Sequence, residues 1–243
     1  MSDDLERAEL YLCFARSFLP PAGEAAFAAL RDTLADDLEA LCASPGSSAV
    51  DEFRGAVAAI ADADALSRLY AKLFLAPPRR AQLNSGAYLD GGLMGRSVQA
   101  LEACYRGCGL ARSEAFRSPS DHVAVQLEFA AYLYACRPAA LAAGHFLDSF
   151  PARWLPDFIS DLENASLEAG AIPYLPLARL LAAAVARDAV PPPQEPRLER
   201  RRRALERARA KRAARGITPA EMAEIERRLR NKGLSTEHLP RAG

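Results

Sequence analysis

The chain has 243 residues, half of them hydrophobic and 26% charged, which is enough to bury a core and excludes a disordered polymer. Alanine and leucine dominate and β-branched runs are scarce, which excludes a sheet-rich fold and favours a helical one. The formal charge of zero divides unevenly, with about +8 on residues 194–243 and about −8 on residues 1–193; an acidic body is joined to a basic tail.

The helix-period pattern starts at once. Leu5, Leu12, Phe14 and Ala15 turn one face inward over residues 3–18, and Pro20-Pro21 ends that helix. Phe27, Leu30, Leu34, Leu38 and Leu41 predict one uninterrupted helix over residues 24–41. Pro45-Gly46-Ser47-Ser48 is a turn signal, and a third helix follows over residues 50–61. Next, Leu66, Leu69, Tyr70, Leu73 and Phe74 fall at i, i+3, i+4, i+7 and i+8, a broad helical face. Ala76-Pro77-Pro78 stops it, because proline has no N–H and disfavours the helical region for the residue before it. Residues up to Tyr88 read as an irregular polar loop.

Val98, Leu101 and Tyr105 mark another helix, closed by Gly107 and Gly109. Ser118 is a good N-cap, with Pro119 at the first helical position and Asp121 at the third, a capping-box arrangement. That helix runs to Cys136, before Pro138. Further helices are expected over residues 139–150, from Pro151 and Trp154 to Ala169, and over residues 173–187 after the turn at residues 170–173. Four prolines in residues 190–196 read as a semi-rigid linker. Beyond them, residues 197–215 hold ten basic residues, and Thr218-Pro219-Ala220-Glu221 opens a last helix striped by Met222, Ile225 and Leu229, with Gly233 as its C-terminal stop. The expected fold is all-α: a single globular body of about nine helices (residues 1–190), a proline-rich linker (191–196) and a basic helical extension (197–243).

The five cysteines, Cys13, Cys42, Cys104, Cys108 and Cys136, form no C-x-x-C and have no nearby partner for a zinc site. Buried free thiols in a reducing cytoplasm are the expectation. No basic-then-apolar leader opens the chain, and the most apolar run, residues 177–186, is too short to span a bilayer. Metal-binding histidine spacing and phosphate-cradling glycine loops are absent from the sequence, so no cofactor is expected.

Asp121-His122 is the acid/imidazole pair that draws attention. A hydrolytic dyad also needs a nucleophile and an oxyanion stabiliser; Ser120 is adjacent in sequence, but successive helical residues diverge by about 100°, so it is not pre-aligned as one. On local grounds Asp121 complements a helix N-terminus and His122 lies in the first turn.

Two segments taken together, residues 66–88 and 118–129, resemble the signature of the TorD-like redox-enzyme chaperones, which include the DmsD and NarJ branches. Members carry an aromatic-x-x-Leu-Phe helix end, a proline and a Ser/Tyr-containing loop, then Pro-x-Asp-His opening a later helix. Those positions here are Tyr70, Leu73, Phe74, Pro77, Ser85 and Tyr88, followed by Pro119, Asp121 and His122. The chain departs at Ala76, Asn84 and Ser118, where the family often has glycine, an acidic residue and glutamate.

The resemblance implies a cytoplasmic chaperone, not an enzyme, that binds the precursor of a molybdenum-cofactor oxidoreductase and its twin-arginine leader until cofactor is inserted. It implies that the nine positions bind peptide, with Tyr70, Leu73 and Phe74 lining a groove for apolar residues and Asp121 facing an arginine. It leaves open a homodimer formed by domain swapping. The alternative is a nucleic-acid-binding or regulatory adaptor acting through the basic tail; that tail lacks aromatic side chains for base stacking over residues 197–215.

Overall fold

A computed structural model describes residues 3–41, 48–92, 94–111, 113, 117–136, 140–170 and 172–192, and the isolated positions 206, 220, 223, 224, 227 and 228. Two compact units divide the chain between Pro192 and Pro193. Of the second unit, Glu224 pairs with Arg227 and, at 2.7 Å, with Arg228. Apart from Glu206 and Ala220, the basic run 197–215, the capping signature at 218–221, the stripe Met222, Ile225 and Leu229, and Gly233 lie outside the described residues, as do Cys42, Pro45, Gly46, Ser47 and Pro138. Cys108 and Cys136 are exposed free thiols, which corrects the expectation that the cysteines are buried.

Among the described residues of the first unit there are eleven α-helices and no strand: α1 (Asp3–Ser17), α2 (Gly23–Asp32), α3 (Leu34–Leu41), α4 (Ser48–Ala58), α5 (Ala63–Tyr70), α6 (Ser85–Leu89), α7 (Arg96–Gly107), α8 (Val123–Ala135), α9 (Ala140–Ser149), α10 (Pro151–Ala169) and α11 (Tyr174–Asp188). The all-α expectation holds, with two more helices than the periodicity predicts. One comes from a break at Thr33. Its hydroxyl bonds back to the Ala29 carbonyl at 2.9 Å, and its backbone leaves the helical region at φ −128°. The other, α6, is too short to show a period.

α8 lies at the centre. Val123, Ala124, Leu127, Phe129, Ala130, Ala131, Leu133 and Tyr134 bury faces all round it, as a core helix requires. α1 runs along α8, and Tyr11 stacks on Tyr134 with centroids 5.8 Å apart. α10 and α11 pack together, and α4 covers α11. The end of α11 is fastened to α1: buried Asp188 accepts from the Tyr11 hydroxyl at 3.0 Å and pairs with Arg187 at 2.8 Å and Arg7 at 3.4 Å. Its burial and the adjacent carboxylate push the Tyr11 hydroxyl far up. Two residues later the Val190 amide donates to the Gly144 carbonyl at 3.0 Å.

α5 ends in a π-turn, Ala71–Leu75, where the Ala76 amide reaches back to the Ala71 carbonyl at 2.8 Å. The wider turn carries Leu73 and Phe74 inward. It also lets the Leu73 carbonyl accept from the amides of Arg80 and Ala81 at 2.9 and 3.1 Å, which folds the proline loop back beneath the helix end.

Candidate functional site

The segments that the sequence singles out meet through backbone. Asn84 and His122 form an isolated antiparallel bridge. The Val123 amide donates to the Leu83 carbonyl at 2.8 Å, and the Ser85 amide to the Asp121 carbonyl at 3.1 Å. Asp121 closes the junction with its side chain, which is fully buried. One carboxylate oxygen accepts from the Asn84 amide group at 2.9 Å and the other from the Gly86 N–H at 2.7 Å. Its carbonyl also accepts from Gln126 at 2.7 Å, and Gln126 in turn accepts from the Trp154 indole at 3.3 Å. Next door, Ser120 donates to Glu102 at 2.9 Å while its carbonyl accepts from Tyr105 at 3.1 Å. Four helices, α6, α7, α8 and α10, are thus tied at one point.

This geometry corrects the expected capping box. α8 begins at Val123, and its N-cap is His122, whose Nδ1 accepts from the Ala124 amide at 3.1 Å. The His122 amide closes a turn on the Pro119 carbonyl at 3.1 Å, His122 itself is extended, and the flanking residues 121 and 123 bond to residues 83–85, so the helix starts several residues after Ser118. Burial, which penalises the charged ring, lowers the His122 pKa from 6.5 to about 4. Asp121 therefore sits before the helix, not in its third position, and it presents no surface to a peptide arginine.

Tyr70, Leu73 and Phe74 are likewise interior, at 2%, 1% and 3% exposure, where a groove wall was expected. Phe74 meets Tyr174 edge-on at 5.1 Å and Phe158 at 6.3 Å. Tyr70 contacts Phe74 and Tyr174 at 5.0 and 5.8 Å, and its hydroxyl donates to the Phe18 carbonyl at 3.1 Å. Burial pushes that hydroxyl up. Ser85 is also buried, and its hydroxyl has no hydrogen-bond partner among the described residues. Pro77 is exposed and Pro119 half-exposed.

Tyr88 stands between interior and surface. Its ring stacks on Trp154 at 5.8 Å and meets Phe158 edge-on at 6.4 Å. Its hydroxyl accepts from the Gln82 amide at 2.9 Å and donates to Asp161 at 2.8 Å. Burial first, then the acidic neighbours Asp161 and Asp157, push that hydroxyl far up. Asp157 and Asp161 share a face of α10 one turn apart, and neither is in an ion pair among the described residues. Phe158 touches both Phe74 and Tyr88, so it joins the two candidate segments from α10.

Trp154, Phe158 and Asp161 are the residues that reading the chain by segments misses. Their spacing of four and three on one helix was the available signal. Two open grooves, of about 560 Å³ between α4, α10 and α11 and about 340 Å³ between α1, α2 and α3, include none of the nine singled-out positions in their linings. Among the described residues no cluster of side chains could hold a metal ion, and no helix is long and apolar enough to cross a membrane.

Residues 19–160 match the family model described as nitrate reductase delta subunit. That stretch is more than half of the chain and contains both segments that meet at Asp121. The chain belongs to the nitrate reductase delta subunit family, the TorD-like one. Within this family's range of relatives, a chaperone protein TorD from Shewanella amazonensis is 33% identical over 108 residues, which are 41% of this chain and 45% of that relative. The chain thus spans less than half the length of the curated relative that it matches. A solved structure from Archaeoglobus fulgidus, described as a redox enzyme maturation protein, is 21% identical, with a TM-score of 0.48 over 72% of this chain and 91% of that one.

Proposed function

We propose that this protein is a cytoplasmic maturation chaperone. It binds the precursor of a molybdenum-cofactor oxidoreductase, through its twin-arginine leader, its apo form or both, and holds it for cofactor insertion before export. The observation that carries the reading is the family match over residues 19–160, which contains the helix end at Phe74 and the Asp121-His122 segment.

The physical parts are compatible with this role. A leader offers two arginines and an apolar stretch, and the body is acidic. At the junction the accessible candidates are Pro77, Tyr88 and Pro119. Beside Tyr88 the carboxylates of Asp157 and Asp161 offer an arginine a charge-assisted contact, the role that sequence reasoning gave to Asp121. Tyr70, Leu73, Phe74, Ser85, Asp121 and His122 support that surface from inside. They shape peptide affinity by holding Tyr88 and the proline loop in place.

The test is isothermal titration of a synthetic twin-arginine leader, taken from a molybdenum-cofactor oxidoreductase, into the full chain and into Asp157→Asn/Asp161→Asn. The double variant should lose about 1 kcal/mol or somewhat more, around five- to tenfold in affinity, with little change in melting temperature. Equal affinities would remove the α10 acidic pair from the site.

A further inference from the structure

The apolar side chains that the sequence offers to a leader, Tyr70, Leu73 and Phe74, are inside the core. Another apolar surface is open. The groove of about 560 Å³ between α4, α10 and α11 is lined by Ala56, Ile172, Leu175 and Pro176 among others, a size and character suited to a bound apolar segment. Gly55, which lies inside α4, also lines it. Glycine is a weak choice within a helix, yet a Cβ there would meet nothing within 4 Å. The missing side chain makes room for an occupant, not for a neighbouring helix.

The rim of the groove is charged. Arg179 of α11 bonds Glu52 at 3.3 Å and Glu163 at 2.9 Å. Two carboxylates share one guanidinium there, so negative charge is in excess, and Glu52 itself lines the groove. These walls suit an apolar segment with basic residues near it and repel one with acidic residues. α10 joins the groove to the acidic pair already described. Ser166 of α10 lines the groove, while Asp161 of the same helix bonds Tyr88. Leu167 stands on the crest between those two flanks. It follows the buried Phe158 by about two and a half turns and so points the opposite way. At 85% it is more exposed than any other large hydrophobic side chain among the described residues. The path from Asp161 over Leu167 to Ser166 is roughly 20 Å, which about six residues of extended chain cover.

We propose that this groove takes the apolar segment of the leader, which crosses α10 over Leu167 from an arginine held at Asp157 and Asp161. The inference rests on the leader-binding reading above and adds the place where the apolar half of the leader goes. Apolar side chains leave water against Ala56, Ile172, Leu175 and Pro176. The arginine fixes the register, and Leu167 gives the crossing chain an apolar footing.

The experiment titrates the full chain into two dye-labelled synthetic peptides and follows fluorescence anisotropy. One is the twin-arginine leader of a molybdenum-cofactor oxidoreductase, and the other is the same leader with its apolar residues changed to serine. The parent should bind the intact leader about tenfold more tightly than the serine leader. Gly55→Leu fills the groove without a clash at its Cβ. It should lower affinity for the intact leader about tenfold and leave the serine leader unchanged. Leu167→Ser should lower affinity for the intact leader about threefold. Both positions are exposed, so circular dichroism should show both variants melting as the parent does. Equal affinity of the parent for the two leaders, or an intact leader that binds Gly55→Leu as tightly as the parent, would overturn the groove assignment. Failure of both leaders to bind the parent would overturn the leader-binding reading itself, and this inference with it.

Discussion

Asp121 and Gly86 are joined across 35 residues by a bond that leaves no room for a side chain. The Gly86 amide donates to the Asp121 carboxylate at 2.7 Å. A Cβ on Gly86 would lie 2.9 Å from that same oxygen and 2.7 Å from the Gly92 carbonyl. Glycine is needed here for close approach of backbone to carboxylate, not for an unusual backbone angle.

Gly86→Ala should therefore force the α6 entry away from Asp121 and weaken the bond from the amide of residue 86 to that carboxylate. Overpacking of this kind costs about 1–3 kcal/mol. Urea denaturation should show a lower midpoint with little change in slope. An unchanged midpoint would mean that the junction yields freely.

Asp121→Asn should also be felt in stability. Both carboxylate oxygens face donors, from Asn84 and Gly86, and an asparagine amide must turn its own donor toward one of them. A buried hydrogen bond to a charged group contributes about 1.5–3 kcal/mol, so the melting temperature should fall clearly. Leader affinity measured on the part still folded should change less than in Asp157→Asn/Asp161→Asn. The reverse ranking would put Asp121 in contact with peptide.

His122 predicts a pH dependence. Its folded-state pKa of about 4 lies below the ordinary 6.5, so the fold favours the neutral ring, which caps α8 through Nδ1. The stability that this contributes is complete above about pH 6.5 and is lost as the pH falls from there to about 4. The loss is up to about 3 kcal/mol. His122→Asn retains a good N-cap acceptor and should flatten the slope of unfolding free energy across that window. A slope unchanged by the substitution would assign the dependence to other groups.

Much of the fold was legible because burial follows the helical period. Leu30, Leu34 and Leu38 kept their inward positions even though Thr33 breaks the helix between them, so periodicity found the face and passed over the break. The candidate site was less legible. Tyr70, Leu73 and Phe74 announce an apolar face, but Tyr174 and Phe158, which cover much of it, come from distant stretches of chain. Ser118 carries every local mark of a cap, yet a two-stranded bridge with Asn84 decides where α8 begins. Local rules cannot see a partner more than thirty residues away.

Residues 1–192 should fold without the basic tail. Among the described residues, the end of the first unit is held by the bonds of Asp188 with Tyr11 and of Val190 with Gly144, both inside that fragment. Its circular dichroism should be helical and its melt cooperative. A fragment that melts without cooperativity would tie the body's stability to the tail.

The central claim is tested most directly by purifying the tagged full chain and the 1–192 fragment from native cell extract under reducing conditions and identifying what remains bound. Both should retain the precursor of a molybdenum-cofactor oxidoreductase, and adding its synthetic leader should compete for it. Recovery of nucleic acid with the full chain, nothing with the fragment and no such precursor with either would contradict the account and favour an adaptor working through the tail.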